Sequence, residues 1–163
     1  MKGIKALYLA VFLGVFLFLL PMVAQAASIT AGGEICTDTT WTKDSGTYYV
    51  TRTITVPAGV TLTVEPGVVV KFARNQGIIV NGSLVAVGLP ADLIYFTDYR
   101  DDTVGGDTNG DGSATSPQAG WWSGIFVLSG GSATMEYTVV YGGQYYNGSE
   151  ARARPTSMTI PAG

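Results

Sequence analysis

The densest group of side chains able to do chemistry is Asp107-Thr108-Asn109-Gly110-Asp111-Gly112. Side-chain oxygens fall at alternate positions and a glycine stands where the backbone must turn sharply, as in the front half of a calcium loop. Calcium is a hard cation that takes about six to eight oxygens, and a carboxylate, an amide and a carboxylate at the first, third and fifth positions of such a loop converge on one point. Ser113 can add a backbone carbonyl at the seventh position. The twelfth is Gln118 rather than a bidentate glutamate, and no flanking helices are predicted, so the loop is not an EF-hand. Asp101 and Asp102 are close enough in sequence to supply the missing charge if the chain folds back. Without a metal, the same residues read as a solvated turn rich in Asp, Asn and Gly. With calcium bound, the expected role is to pin a long loop that would otherwise move.

Other groups point to chemistry less directly. Paired carboxylates act as acid and base in sugar hydrolysis, but Asp101 and Asp102 read more simply as exposed loop carboxylates. Elimination from an acidic polysaccharide would have only Lys71, Arg74 and Arg100 as actors, and no motif links them. Lys71 and Arg74 are expected as solvent-facing charges on or just after a strand. The chain has no histidine, which excludes serine or cysteine hydrolysis through a histidine base. Trp121, Tyr145 and Tyr146 offer flat faces for stacking on sugar rings, whereas Trp122 is expected in the core. Cys36 is the single cysteine; it forms no intrachain disulfide and is expected as a small buried apolar residue.

The elements that must position these residues begin after residue 26. Lys2 and Lys5, the apolar run from Ala6 to Leu20, Pro21 and the small residues Ala24-Gln25-Ala26 make a secretory signal peptide over 1–26. Its removal predicts an exported chain, secreted or held at the cell surface or in the periplasm, with no membrane span remaining. The net charge of −3 becomes more negative by two when Lys2 and Lys5 leave, and an acidic chain lacks the cationic face that nucleic acid demands. What remains is one domain.

Residues 27–47 are polar and turn-rich and are expected to cap the N-terminal end. Short apolar runs then recur at Ile54–Val56, Val60–Val64, Val68–Phe72, Ile78–Val80, Leu84–Val87 and Ile94–Phe96. Within them apolar and polar residues alternate, as in Val60-Thr61-Leu62-Thr63-Val64, and period two means strand. Lys71 falls between Val70 and Phe72, on the opposite face from their side chains. No window carries the 3.6-residue pattern with caps that marks an amphipathic helix. Asn-Gly, a hairpin signal, occurs at Asn81-Gly82, Asn109-Gly110 and Asn147-Gly148, but most joints are Pro-Gly or Pro-Ala-Gly corners that bend a chain around a coil without reversing it. The fold is therefore all-β; the spacing suits a sandwich, a barrel or a solenoid, and the corners favour a short solenoid of stacked strands, with a β-sandwich the alternative. The segment Ile54-Thr55-Val56-Pro57-Ala58-Gly59 is echoed at Met158-Thr159-Ile160-Pro161-Ala162-Gly163, so residues 144–163 read as a partial segment, with truncation of a longer protein one explanation.

The phrases Val56-Pro57-Ala58-Gly59-Val60-Thr61-Leu62-Thr63-Val64-Glu65-Pro66-Gly67-Val68-Val69-Val70-Lys71-Phe72, Ile79-Val80-Asn81-Gly82-Ser83-Leu84-Val85-Ala86-Val87-Gly88 and Ile94-Tyr95-Phe96-Thr97-Asp98 resemble a recurrent segment of exported bacterial proteins in the pectin-lyase-like superfamily. Trp122-Ser123-Gly124-Ile125 and Glu136 to Gly143 fit the same pattern. The resemblance implies a right-handed parallel β-helix with coils over 48–143, a long loop at 98–120, and Leu62, Val64, Leu84, Ala86, Ile94, Phe96, Ile125 and Val127 facing inward. The superfamily holds polysaccharide lyases, glycoside hydrolases, adhesins and surface proteins, so membership does not settle function. The expected function is a structural, adhesive or glycan-binding module at the cell surface, stiffened by calcium at Asp107, Asn109, Asp111 and Ser113 with Asp101 and Asp102 as added ligands. The alternative is a divergent or fragmentary polysaccharide lyase or glycoside hydrolase.

Overall fold

In the computed structural model, residues 27–143, 145–147 and 157–160 are described. Among them the only helical element is one short 3-10 turn, Lys43–Ser45, and everything else regular is strand. The strands are β1 (Ser28–Glu34), β2 (Thr39–Trp41), β3 (Thr47–Val56), β4 (Thr61–Val64), β5 (Val69–Phe72), β6 (Gly77–Val80), β7 (Ser83–Val87), β8 (Ile94–Asp98), β9 (Gly124–Val127), β10 (Ser132–Glu136), β11 (Thr138–Tyr141), β12 (Tyr145–Asn147) and β13 (Ser157–Ile160). The expected N-terminal cap thus contributes two strands, while the apolar runs of the sequence reappear as β3 to β8 nearly residue for residue.

The chain visits three ladders in rotation. In the first, β1, the front half of β3, β5, β8 and β11 pair in that order. The second joins the back half of β3 to β6, β9 and β12. The third joins β2, β4, β7 and β10. All these pairings are parallel; among the described strands only β13 runs antiparallel, against β11. Parallel pairing demands a connection that carries the chain around before it returns, and here the other two ladders provide it.

Because side chains alternate along a strand, parallel register stacks like on like inside. Ile54, Ile78 and Ile125 form one column, and Val56, Val80 and Val127 another. Leu62 lies on Leu84, and Val64 on Ala86, whose other neighbour is Met135. The eight residues expected inward are all buried, each 0 or 1 % exposed. Each fully buried aliphatic side chain contributes about 1.5–3 kcal/mol, so the core holds the ladders together without a disulfide.

The corners follow the turn chemistry of the sequence. Val68 N–H bonds Glu65 C=O across Pro66-Gly67, and Val60 N–H bonds Pro57 C=O across Ala58-Gly59. Gly67 and Gly59 take positive φ of 76° and 81°, the third-residue conformation of a type II turn. Asn81-Gly82 makes no hairpin. Both of its amides donate to Val56 C=O, and a Cβ on Gly82 would lie 2.2 Å from Pro57 O. It is a corner stacked on the preceding corner, and its glycine is required by close approach.

Candidate functional site

Between β8 and β9 the chain leaves the ladders for 99–123 and folds back over the outer face of the first ladder. Its ends are anchored firmly. Arg100 donates through Nε (3.0 Å) and Nη2 to the two oxygens of Asp98, which also accepts Gln118 N–H at 3.1 Å. Both members of this ion pair are buried, a geometry in which the fixed guanidinium fork matches a carboxylate. Trp122 stacks on Phe72 at 4.1 Å and donates its indole N–H to Tyr141 C=O at 2.9 Å. Trp122 thus occupies the core position expected of it.

Several expected positions are corrected by this loop. Lys71 points outward as the alternation requires, yet it is 0 % exposed, because the loop lies over it and Gly106 C=O accepts its ammonium. Burial lowers its pKa, opposed by the nearby negative charges of Asp101, Asp102, Asp107 and Asp98. Asp101 is not an exposed carboxylate either: Thr97 donates its hydroxyl to one oxygen at 2.7 Å, and Thr103 donates N–H and hydroxyl to the other. Arg100 is buried rather than available to a substrate. Cys36 is exposed, in the connection between β1 and β2.

Three carboxylates do converge. Asp102, Asp107 and Asp111 each bring one oxygen to within 4.8 Å of the others. The local turns set them there: Asp107 accepts Gly110 N–H at 2.7 Å and Gly112 N–H at 2.8 Å, and Asp111 accepts Ala114 N–H at 3.1 Å. Asn109 donates its amide to Asp111 at 2.8 Å and to Thr115 at 3.0 Å. Its Oδ1 and the Oδ1 of Asp102 are buried without a partner. Unpaired buried acceptors are costly, and oxygen acceptors beside three carboxylates are the donor set of a hard cation. Desolvation, reinforced by Asp107, raises the Asp102 pKa, while hydrogen bonds, the Thr115 hydroxyl first, hold Asp111 low. Of the neighbouring pair, Asp102 joins this group and Asp101 turns to Thr97. The Ser113 side chain is exposed.

A second feature was not foreseen. Beside the loop, overlapping cavities of about 200, 330 and 250 Å³ run across the first ladder. Their floor is Thr47, Val69, Tyr95 and Val139, outward-facing residues of successive strands, with Val69, Tyr95 and Val139 in direct register. Val104, Gly105 and Pro117 of the loop form one wall, and Gly67 with Pro90 to Leu93 the other. At a strand spacing of about 4.8 Å, four strands give a groove about 14 Å long. The signal for it was present in the sequence as apolar residues, Val69 and Val139, at positions that the alternation assigns to the outside.

Trp121 is partly buried, with the Arg100 guanidinium 3.4 Å from its ring centroid and Arg74 at 5.2 Å. Tyr99 stands 6.2 Å from it and Tyr49 5.6 Å from Tyr99. Tyr145 and Tyr146 pair along β12 with Ile125 and Phe126, and their side chains lie outside the described residues. No helix among the described residues is long and apolar enough to cross a membrane.

No protein-family model matches the chain, and no solved structure does. It is similar to the protein named bark beetle of Drosophila melanogaster, 42 % identical over 72 residues. That stretch is 44 % of this chain and 2 % of the fly protein, so the chain spans only a small part of its relative's length.

Proposed function

We propose that the chain is an exported surface module, a right-handed parallel β-helix whose long loop is held by calcium and whose groove takes a glycan. The rotation through three parallel ladders supports the solenoid, together with the resemblance of its repeat phrases. The observation that carries the calcium reading is the convergence of Asp102, Asp107 and Asp111 beside the unpartnered oxygens of Asp102 and Asn109. Calcium there would tie the middle of the loop to its start and so fix the wall of the groove.

Binding rather than turnover suits the groove. Its strongly ionisable lining residues are Lys43, Asp92 and Asp101; Lys43 pairs with Asp92, and Asp101 is engaged by Thr97 and Thr103. A general acid or base needs a proton to exchange with substrate within hydrogen-bond reach, and these groups are already committed. Tyr95 and the two valines offer apolar contact to sugar faces, as in carbohydrate sites that combine aromatic rings with a few polar groups.

The test is calorimetric titration of the chain with soluble neutral and acidic polysaccharides, in calcium and in chelator, beside Tyr95→Ala. The proposal expects binding that Tyr95→Ala abolishes, weaker binding in chelator, and no release of shortened or unsaturated products. Binding indifferent to Tyr95→Ala would place the glycan elsewhere, and product release would favour the enzymatic reading.

A further inference from the structure

The calcium reading draws on the oxygens of Asp107 and Asn109 but not on the backbone contact at Gly110. The Gly110 amide donates to Asp107 Oδ1 at 2.7 Å, so a carboxylate base rests on the one nitrogen able to attack the Asn109 side chain. The Asn109 amide nitrogen is held by Asp111 and Thr115. Gly110 has no side chain to obstruct the approach, and space around it is open, with nothing within 4 Å of where a Cβ would stand. A positioned base within about 2.6–3.2 Å of the proton it removes is the geometric requirement of general-base catalysis.

We propose that Asn109 is a site of self-modification, in which the folded loop promotes its own deamidation. Asp107 takes the Gly110 amide proton as the nitrogen attacks Asn109 Cγ. The N–Cγ bond forms, the Cγ–Nδ2 bond breaks, and Nδ2 leaves as ammonia carrying the proton that passed through Asp107. Water then opens the five-membered imide at either carbonyl, giving aspartate or isoaspartate. No oxidant or cofactor is needed. The aspartate product places a fourth carboxylate among Asp102, Asp107 and Asp111.

The same chain contains its own control. Gly82, which follows Asn81, donates its amide to Val56 C=O at 3.0 Å, an acceptor that is no base, and it is closely packed, with a Cβ there falling 2.2 Å from Pro57 O and 2.3 Å from Val60 O.

The experiment is ageing of the chain in chelator at neutral pH, followed by peptide mapping with fragment-ion localisation of the mass gain at each asparagine. Asn109 is expected to convert at least about tenfold faster than Asn81, at the low end of what a positioned base contributes, and the two rates converge in urea. Asp107→Asn slows Asn109 while leaving Asn81 unchanged. Equal rates at the two sites in the folded chain overturn the proposal. So does a preference for Asn109 that persists in urea, since it then owes nothing to the fold. The urea comparison needs no variant and decides the matter even if Asp107→Asn folds poorly.

Discussion

Replacing Trp122 by alanine tests how the long loop is locked to the strands. The indole is 1 % exposed, lies parallel to Phe72 at 4.1 Å and 5°, and donates to Tyr141 C=O. Gly143 lies directly against the ring: a Cβ there would fall 2.2 Å from Cζ2 and 2.3 Å from Cε2. Truncating a buried tryptophan to alanine costs about 3–5 kcal/mol, of which stacking accounts for about 0.5–1.5 kcal/mol. For a domain of this length that is a fall of about 10–15 °C in Tm. Gly143→Ala forces a methyl into the ring and costs about 1–3 kcal/mol by overpacking. In the double variant the ring is gone and the methyl has room. The second cost then falls close to zero, a coupling of about 1–3 kcal/mol. Urea unfolding of the four proteins, followed by near-ultraviolet circular dichroism, measures the cycle. Additive costs would mean that Gly143 does not lie on the indole, and a Trp122→Ala cost under about 1 kcal/mol would refute its core position altogether.

Two further outcomes follow from the buried charges. Asp98→Asn leaves the Arg100 guanidinium buried without its counter-charge and removes the charge that Gln118 N–H donates to, so the urea midpoint should drop by the equivalent of about 3–5 kcal/mol. The raised pKa of Asp102 means that the folded chain holds this proton more tightly than the unfolded one. In chelator its contribution is full below the ordinary carboxylate range and is lost as pH rises through the folded value. Calcium needs the ionised form, so affinity should weaken as pH falls through that same value. Calorimetry at about pH 7 and about pH 4 measures the difference; Asp102→Asn should remove this residue's share of it, and an unchanged pH dependence would show that Asp102 is not a ligand.

Much of the core was legible because period-two alternation is a local property. Val60 to Val64 and Leu84 to Val87 declare their inward faces without knowledge of their neighbours, and parallel register then stacks them. The outward faces were another matter. Nothing within Val70-Lys71-Phe72 tells that residues about thirty positions later will cover the lysine. Nor could the sequence distinguish Asp101 from Asp102, which differ in that one turns to Thr97 and Thr103 and the other toward Asp107. Loop order favoured Asn109 as an oxygen donor, but it could not show that the amide nitrogen is taken up by Asp111 and Thr115 while the oxygen is left unpaired. Asn81-Gly82 carries the same dipeptide as a hairpin and is a corner instead, since turn residues specify local φ and ψ and tertiary stacking decides the path. Cys36 was assigned by the average behaviour of cysteine, which its place in the exposed connection between β1 and β2 overrides.

The most direct test of the account is thermal melting and calorimetry of the chain with calcium and with chelator, alongside Asp107→Ala combined with Asp111→Ala. A bound ligand at about a hundred times its Kd contributes about 2.7 kcal/mol, a rise of about 8–10 °C in Tm for a domain of this size. The account predicts that rise, with one calcium bound per chain, and its loss in the double variant. A cooperative melt that ignores calcium, or a rise that survives removal of both aspartates, would contradict it.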